Sequence, residues 1–244
     1  MVRPVRQEEY IHDYLLEDSS VALGFRRLTW KVPLRFENEI YTDLHYSQVL
    51  QDYLEGKLLL HYNSELEQQV ASLAVFQHWA RGAGSSPTMQ ELMSYTPQPV
   101  VQLVNPQIVQ TRVTRQLQNV NPLGKTAAKI RFIEHVTQMP FFGYNVYTVQ
   151  RIRQPGIPTP CFVGVNWEQM VVADDKSQTP YCVILLKDLQ KMRTLQPIDD
   201  TGVPGLEMNY GSAEDPKTLW FELHQAKELY HTIAVIIEEA DTPH

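Results

Sequence analysis

Four groups of residues have the types and spacing for chemistry. Gly124-Lys125-Thr126 resembles the end of a phosphate-binding loop, where backbone N–H groups and a lysine cradle phosphate oxygens. That loop needs a glycine five residues earlier and a strand before it. Asn119 holds the glycine position and the flanks read as helices, so the triplet is a helix start with Thr126 as its cap. His224, Glu228 and His231 are spaced i, i+4, i+7 and could offer zinc two imidazoles and a carboxylate. The spacing is not His-Glu-x-x-His, and Leu229 and Ile233 beside them point to a core, so they read as solvated flanks of an apolar stripe. Cys161 and Cys182 lie in strand-like segments with no local base to generate a thiolate, so they read as buried thiols. The acidic pairs Asp174-Asp175, Asp199-Asp200 and Glu238-Glu239 sit in turns or at an exposed end and read as solvated charge. The sequence therefore assigns no catalytic residue, metal ligand or cofactor, and a non-enzymatic chain is expected.

The basic residues are less evenly spread. Arg112, Arg115, Lys125, Lys129 and Arg131 fall on two successive helical segments, where ordinary surface charge is the simplest reading. Lys187, Lys191 and Arg193 cluster around one strand-like segment, where a binding role has more to recommend it.

Composition limits what these groups can serve. The chain has 244 residues, with 21 Lys plus Arg against 28 Asp plus Glu, a formal charge of −7. Apolar residues make up 43%, enough for a sizeable core and against global disorder. The acidic balance argues against a nucleic-acid binder and a polybasic membrane-surface protein. Two cysteines cannot form a disulfide framework, and no apolar run approaches the roughly 20 residues that span a bilayer. With no secretory leader pattern at Met1–Glu9, an intracellular chain is expected.

The elements that must position these residues change character near residue 140. Before it, helical spacing dominates. Tyr41 to Lys57 reads as a helix with Leu44, Gln48, Leu50 and Leu54 on one face. Ser64 and Glu67 have capping-box spacing ahead of Leu66, Val70, Leu73, Phe76 and Ala80. Thr88 to Tyr95 is a short helix, Asn105-Pro106 opens another, and Thr126 to Gln138 is the last. Short loops between amphipathic helices imply a helical bundle. After residue 140, alternation suggests seven strands, beginning in 142–148 and continuing in 162–165, 170–174, 181–186, 192–196, 206–210 and 218–223. Turns are expected at Asp199-Asp200-Thr201-Gly202 and at 211–216. Ala226, Leu229, Tyr230, Ile233, Ile236 and Ile237 then form one apolar helix face. A small barrel or sandwich plugged by that helix follows.

Specific strings carry a resemblance. Phe25-Arg26-Arg27-Leu28-Thr29-Trp30, then Tyr41, His45-Tyr46-Ser47-Gln48, Asp52-Tyr53-Leu54 and Glu55-Gly56, resemble the junction of the first two lobes of a FERM domain. Leu73, Ala74 and Tyr95-Thr96-Pro97 continue the second-lobe pattern. Phe141-Phe142-Gly143-Tyr144, Val163-Gly164-Val165-Asn166-Trp167-Glu168 and Leu186-Lys187-Asp188-Leu189 resemble the third lobe. With Tyr10-Ile11-His12-Asp13-Tyr14-Leu15, the match is to FERM domains ending the tails of MyTH4-FERM unconventional myosins, of the class VII and XV type.

The resemblance implies an α+β multi-lobe fold: an acyl-CoA-binding-protein-like helical bundle, then a PH/PTB-like seven-stranded barrel with a C-terminal helix. Residues 1–34 would be a remnant of the ubiquitin-like first lobe, holding its final helix and a last strand around Val21 to Trp30. Residues 35–139 would be the second lobe and 140–244 the third. It implies a cargo- or partner-binding module of an actin-based motor tail, cytoplasmic and cytoskeleton-associated, with a FERM-type membrane–cytoskeleton linker or scaffold as the alternative. The expected ligand is an extended tail or scaffold peptide added to the fifth strand, at Lys191, Met192, Arg193, Thr194 and Leu195, and resting on Gln225, Glu228, Leu229, Thr232 and Ile236 of the last helix. Lys191 and Arg193 would favour an acidic peptide. Weak or no phosphoinositide binding and no nucleic acid are expected.

Overall fold

The computed structural model describes all residues except 1–3, 6–8, 18–19, 32, 59, 61–63, 198–201 and 242–244. The expected turn at Asp199-Asp200-Thr201 lies outside the described residues. The chain divides into two compact units. One comprises residues 32–143; the other joins 144–244 with residues 1–31.

The 32–143 unit is helical. It runs α2 (Glu39–Leu54), α3 (Leu66–Ala80), α4 (Met89–Ser94), a 3₁₀ turn (Gln98–Val100), α5 (Pro106–Asn119) and α6 (Lys125–Thr137), following α1 (Ile11–Glu17) of the other unit. Its core is aromatic. Phe132 of α6 is fully buried, with Tyr46 and Tyr53 of α2 edge-on to it at 5.4 and 5.6 Å.

That packing corrects three sequence expectations. The buried face of α2 is Thr42, His45, Tyr46, Val49, Asp52 and Tyr53, while Leu44 stays 49% exposed. The tyrosines win the core because Phe132 accepts their rings. Ser64 does not cap α3: no side chain caps that helix, and Glu67 instead accepts the Asn105 N–H at 3.2 Å. The capping box forms on α4, between Thr88 and Glu91. Thr126 does not cap α6, whose N-cap is Gly124; its hydroxyl donates to Glu39 of α2 at 3.0 Å. The Asn105-Pro106 start of α5 is as expected, with the Asn105 side chain accepting from Gln107 and Ile108.

The other unit is a two-sheet sandwich closed by a helix. Its strands are β1 (Asn145–Val149), β2 (Arg151–Ile152), β3 (Cys161–Val165), β4 (Gln169–Asp174), β5 (Pro180–Leu185), β6 (Leu189–Leu195), β7 (Gly205–Gly211) and β8 (Pro216–Glu222), followed by α7 (Ala226–Asp241). All pairings are antiparallel, in the orders β1-β3-β4-β5 and β2-β8-β7-β6. The first of the seven expected strands thus forms as β1, and after Gln150 the chain adds a short strand, β2, that was not expected and that serves the other sheet. The sheets do not close into a barrel: β5 and β6 are successive in sequence but belong to different sheets. Val163, Val165, Met170, Ile184, Leu206, Met208, Leu219 and Phe221 meet Ala226, Leu229, Ile233 and Ile236 of α7 in one core. No helix among the described residues is long and apolar enough to cross a membrane.

The expected strand at Val21 to Trp30 does not form. No described strand pairs with it, and a lone extended segment has no ladder to stabilise it. Leu28 packs on the sandwich core and its carbonyl accepts from Asn145 Nδ2 at 3.2 Å, while Phe25 is 94% exposed.

Candidate functional site

The residues singled out for binding lie on β6 and α7, which pack against each other, except Gln225, which sits in the turn just before α7. Among the described residues β6 hydrogen-bonds to β7 alone, so its other edge is open to an added strand. Its register puts Met192 opposite the buried Met208 and Thr194 opposite the buried Leu206; Met192 packs on the core, while Thr194 stays exposed. Lys191 lies opposite Asn209, Arg193 opposite Glu207 and Leu195 opposite Gly205, on the outward face. An irregularity between Leu189 and Lys191 keeps Leu189 and Met192 both packed on the core.

The helix residues divide. Gln225 is exposed and Glu228 half-buried, with Gln225 Nε2 donating to Glu228 at 3.0 Å. Leu229, Thr232 and Ile236 are buried, at no more than 2% exposure. Thr232 shares a 2.8 Å hydroxyl–hydroxyl bond with Tyr147 of β1, and burial pushes the Tyr147 phenol well above its ordinary range. These three side chains hold α7 on the sandwich instead of lining a surface. Leu229 and Ile236 already belong to the apolar stripe that helical spacing marks, so their place in the expected groove is corrected; Thr232 is the one of the three that spacing did not mark.

Electrostatics reshape the basic pair. Arg193 donates from Nε and Nη2 to the two carboxylate oxygens of Glu207 at 2.8 and 2.9 Å. This bidentate grip holds the Glu207 carboxyl below its usual value and raises Arg193. Lys191, Arg193, Glu207 and Asn209 line a hollow of about 200 Å³. Glu207 is the residue the sequence reasoning missed. Its only signal there was its place in the next strand, 14 residues beyond Arg193, with no register to pair it.

The remaining candidates are structural. Cys161 is buried in β3 and its thiol is pushed up to about 11, chiefly by burial, away from nucleophilic use. Burial also raises Cys182. Asp174 accepts from the Lys176 and Ser177 N–H groups and the Tyr181 hydroxyl, which fixes the β4–β5 turn and holds its carboxyl far below the usual range. Gly124-Lys125-Thr126 opens α6 after a loop, not a strand. Among the described residues no three His, Cys, Asp or Glu side chains are grouped to hold a metal. Of the helical basic set, Lys129 pairs with Asp43 at 2.7 Å and Arg131 with Glu134 at 3.2 Å. Arg112 donates to Gln68 at 2.8 Å. A groove of about 700 Å³ runs past Gln68, Arg112, Arg115 and Gln116, between α3 and α5.

Comparison with known proteins supplies the context. Residues 31–147 match the FERM central domain. The chain is 39% identical over 240 residues to human unconventional myosin-XVB, covering 98% of this chain and 8% of that protein. It is 29% identical over 251 residues to human unconventional myosin-XV, spanning all of this chain and 7% of that protein. The human myosin 7b C-terminal MyTH4-FERM domain, solved in complex with the harmonin-a PDZ3 domain, superposes with a TM-score of 0.67 at 14% identity. That match covers 88% of this chain and 42% of the solved one, and it is a likeness of fold.

Proposed function

This chain belongs to the FERM family and is homologous to the unconventional myosins XV and XVB, and from that premise we propose that it is the partner-binding part of a myosin tail. It acts without catalysis, in the cytoplasm, and reaches the actin cytoskeleton through a parent motor. In this reading residues 1–34 belong to the first lobe, 35–139 to the second and 140–244 to the third. The partner is a protein, as for the myosin 7b relative held by a PDZ domain. It presents an extended segment that adds to the open edge of β6 and runs beside α7, main-chain hydrogen bonds supplying affinity. Gln225 and Glu228 border the ligand on the helix side; Leu229, Thr232 and Ile236 keep that helix in place. Lys191 draws acidic residues of the segment. Phosphoinositide binding is weak or absent.

One observation carries the reading: β6 is a seven-residue strand, bonded on one side only among the described residues, next to a packed helix. The test is to pan a phage-displayed library of random short peptides on the full chain and follow hydrogen exchange with a selected peptide. Added pairing should slow exchange of β6 amides. Peptides that bind while β6 exchange stays unchanged would remove the groove from the proposal.

A further inference from the structure

The open edge of β6 is crossed by two rows of outward side chains whose charges differ. The antiparallel register aligns Arg193 of β6 with Glu207 of β7 and Trp220 of β8. The next row aligns Lys191 with Asn209 and Thr218. In the first row the bidentate Arg193–Glu207 pair sums to no charge. In the second, Asn209 is neutral and accepts a hydrogen bond from Thr218 at 3.1 Å, so the row keeps the lysine's positive charge. Arg153 stacks over Trp220 at 4.2 Å, and Arg151 pairs with Glu222 at 3.4 Å, so these bases are also engaged. Arg151 lies at the far side of the sheet, roughly three strand spacings or about 14 Å from the edge, and the Arg153 guanidinium lies over β8, roughly two spacings or about 10 Å from it. Both are beyond the ~8 Å over which exposed charges act at physiological salt.

A strand added to β6 would set its side chains directly opposite these rows, with Cβ atoms about 5 Å apart. We propose that Glu207 sets the charge preference of the β6 edge: by holding Arg193 it cancels that row, so that a bound acidic residue is selected beside Lys191 and not beside Arg193. This rests on the strand-addition reading above and names which position of the ligand is read. Two adjacent basic residues in sequence look like one acidic-ligand signal; the sheet register makes them unequal. Asn209 has the complementary role, because its neutrality leaves the lysine's charge available.

Two variants invert the pattern without touching the core. Glu207→Gln frees Arg193, and Asn209→Asp puts a carboxylate beside Lys191, copying the Arg193 row. The full-length wild type and both variants are panned against the same phage-displayed random peptides. Binders that slow β6 exchange are kept, and circular dichroism melts show that each variant is folded. The wild-type pool should be enriched in Asp or Glu at one position. The Glu207→Gln pool should gain a second acidic position two residues along, and the Asn209→Asp pool should lose the first. A synthetic peptide with Asp opposite residue 193 should bind Glu207→Gln roughly two- to five-fold tighter than wild type, a gain that fades at high salt. β6-dependent binders with the same acidic pattern in all three pools would overturn the roles of Glu207 and Asn209 while leaving strand addition intact. No β6-dependent binder in any pool would overturn strand addition itself, and this inference with it.

Discussion

The helical unit and the sandwich treat their surfaces in opposite ways. On the helical unit, side chains from separate helices are tied to each other: Lys129 to Asp43, Thr126 to Glu39, Arg112 to Gln68. Its helices pair most of their backbone groups internally, so among the described residues this unit presents no strand edge. In the sandwich some outer-face side chains are also paired, Arg193 with Glu207 and Arg151 with Glu222, yet a backbone edge remains open along β6 among the described residues. A sheet that does not close must end somewhere, and its ends carry unpaired N–H and C=O groups. The contrast teaches that an open backbone edge here follows from topology and not from side-chain charge.

The cores offer the largest way to break that comparison. Phe132→Ala removes the ring against which Tyr46 and Tyr53 pack and should cost about 3–5 kcal/mol, read by denaturant unfolding. Hydrogen exchange should place the loss in α2, α3 and α6. Leu229→Ala should cost about 2–5 kcal/mol and loosen α7 against the sandwich, because that side chain is fully buried in its core. If Leu229→Ala left stability unchanged and altered only ligand binding, Leu229 would be a surface residue after all.

A smaller effect sharpens the role of α7. Thr232→Val keeps the shape but strips the hydroxyl bonded to Tyr147, leaving a buried phenol without that partner, at a cost of about 1–3 kcal/mol. Adding Tyr147→Phe should recover part of the loss, since both polar groups are then gone. A purely additive double variant would show that the bond carries no coupling.

The smallest effect separates the units by acid. Burial lowers His135 of α6 below its ordinary 6.5. A depressed group contributes stability above its unfolded value and loses it as pH falls through that value toward the folded one. Protection in α6 should therefore decline from about pH 6.5 downward. Asp174 is also depressed, but from the carboxylate range, so its contribution to the β4–β5 turn is intact above that range and declines only as the pH falls below it. Exchange measured from pH 7 to pH 4 should show α6 weakening while the β4–β5 turn holds; the reverse order would contradict both assignments.

Much of the fold was legible in the chain itself. The change from helical to alternating patterning near residue 140, the Asn105-Pro106 helix start and the stripe Ala226, Leu229, Ile233, Ile236 all rest on local spacing, and local spacing is what a sequence displays. The candidate strand was legible for the same reason. The caps were less so: Ser64, Thr126 and Thr88 have similar local chemistry, but Glu67 and Thr126 were claimed by partners 38 and 87 residues away.

The amino-acid order by itself determined most of the helices and strands, though not β2 or the unformed strand at Val21 to Trp30, and the string of family residues. Only the tertiary structure decided that β6 ends its sheet, that Thr232 looks inward, and that Arg193 is already held by Glu207. Those facts depend on strand order and register, and register is set by hydrogen bonds between segments that no local pattern connects.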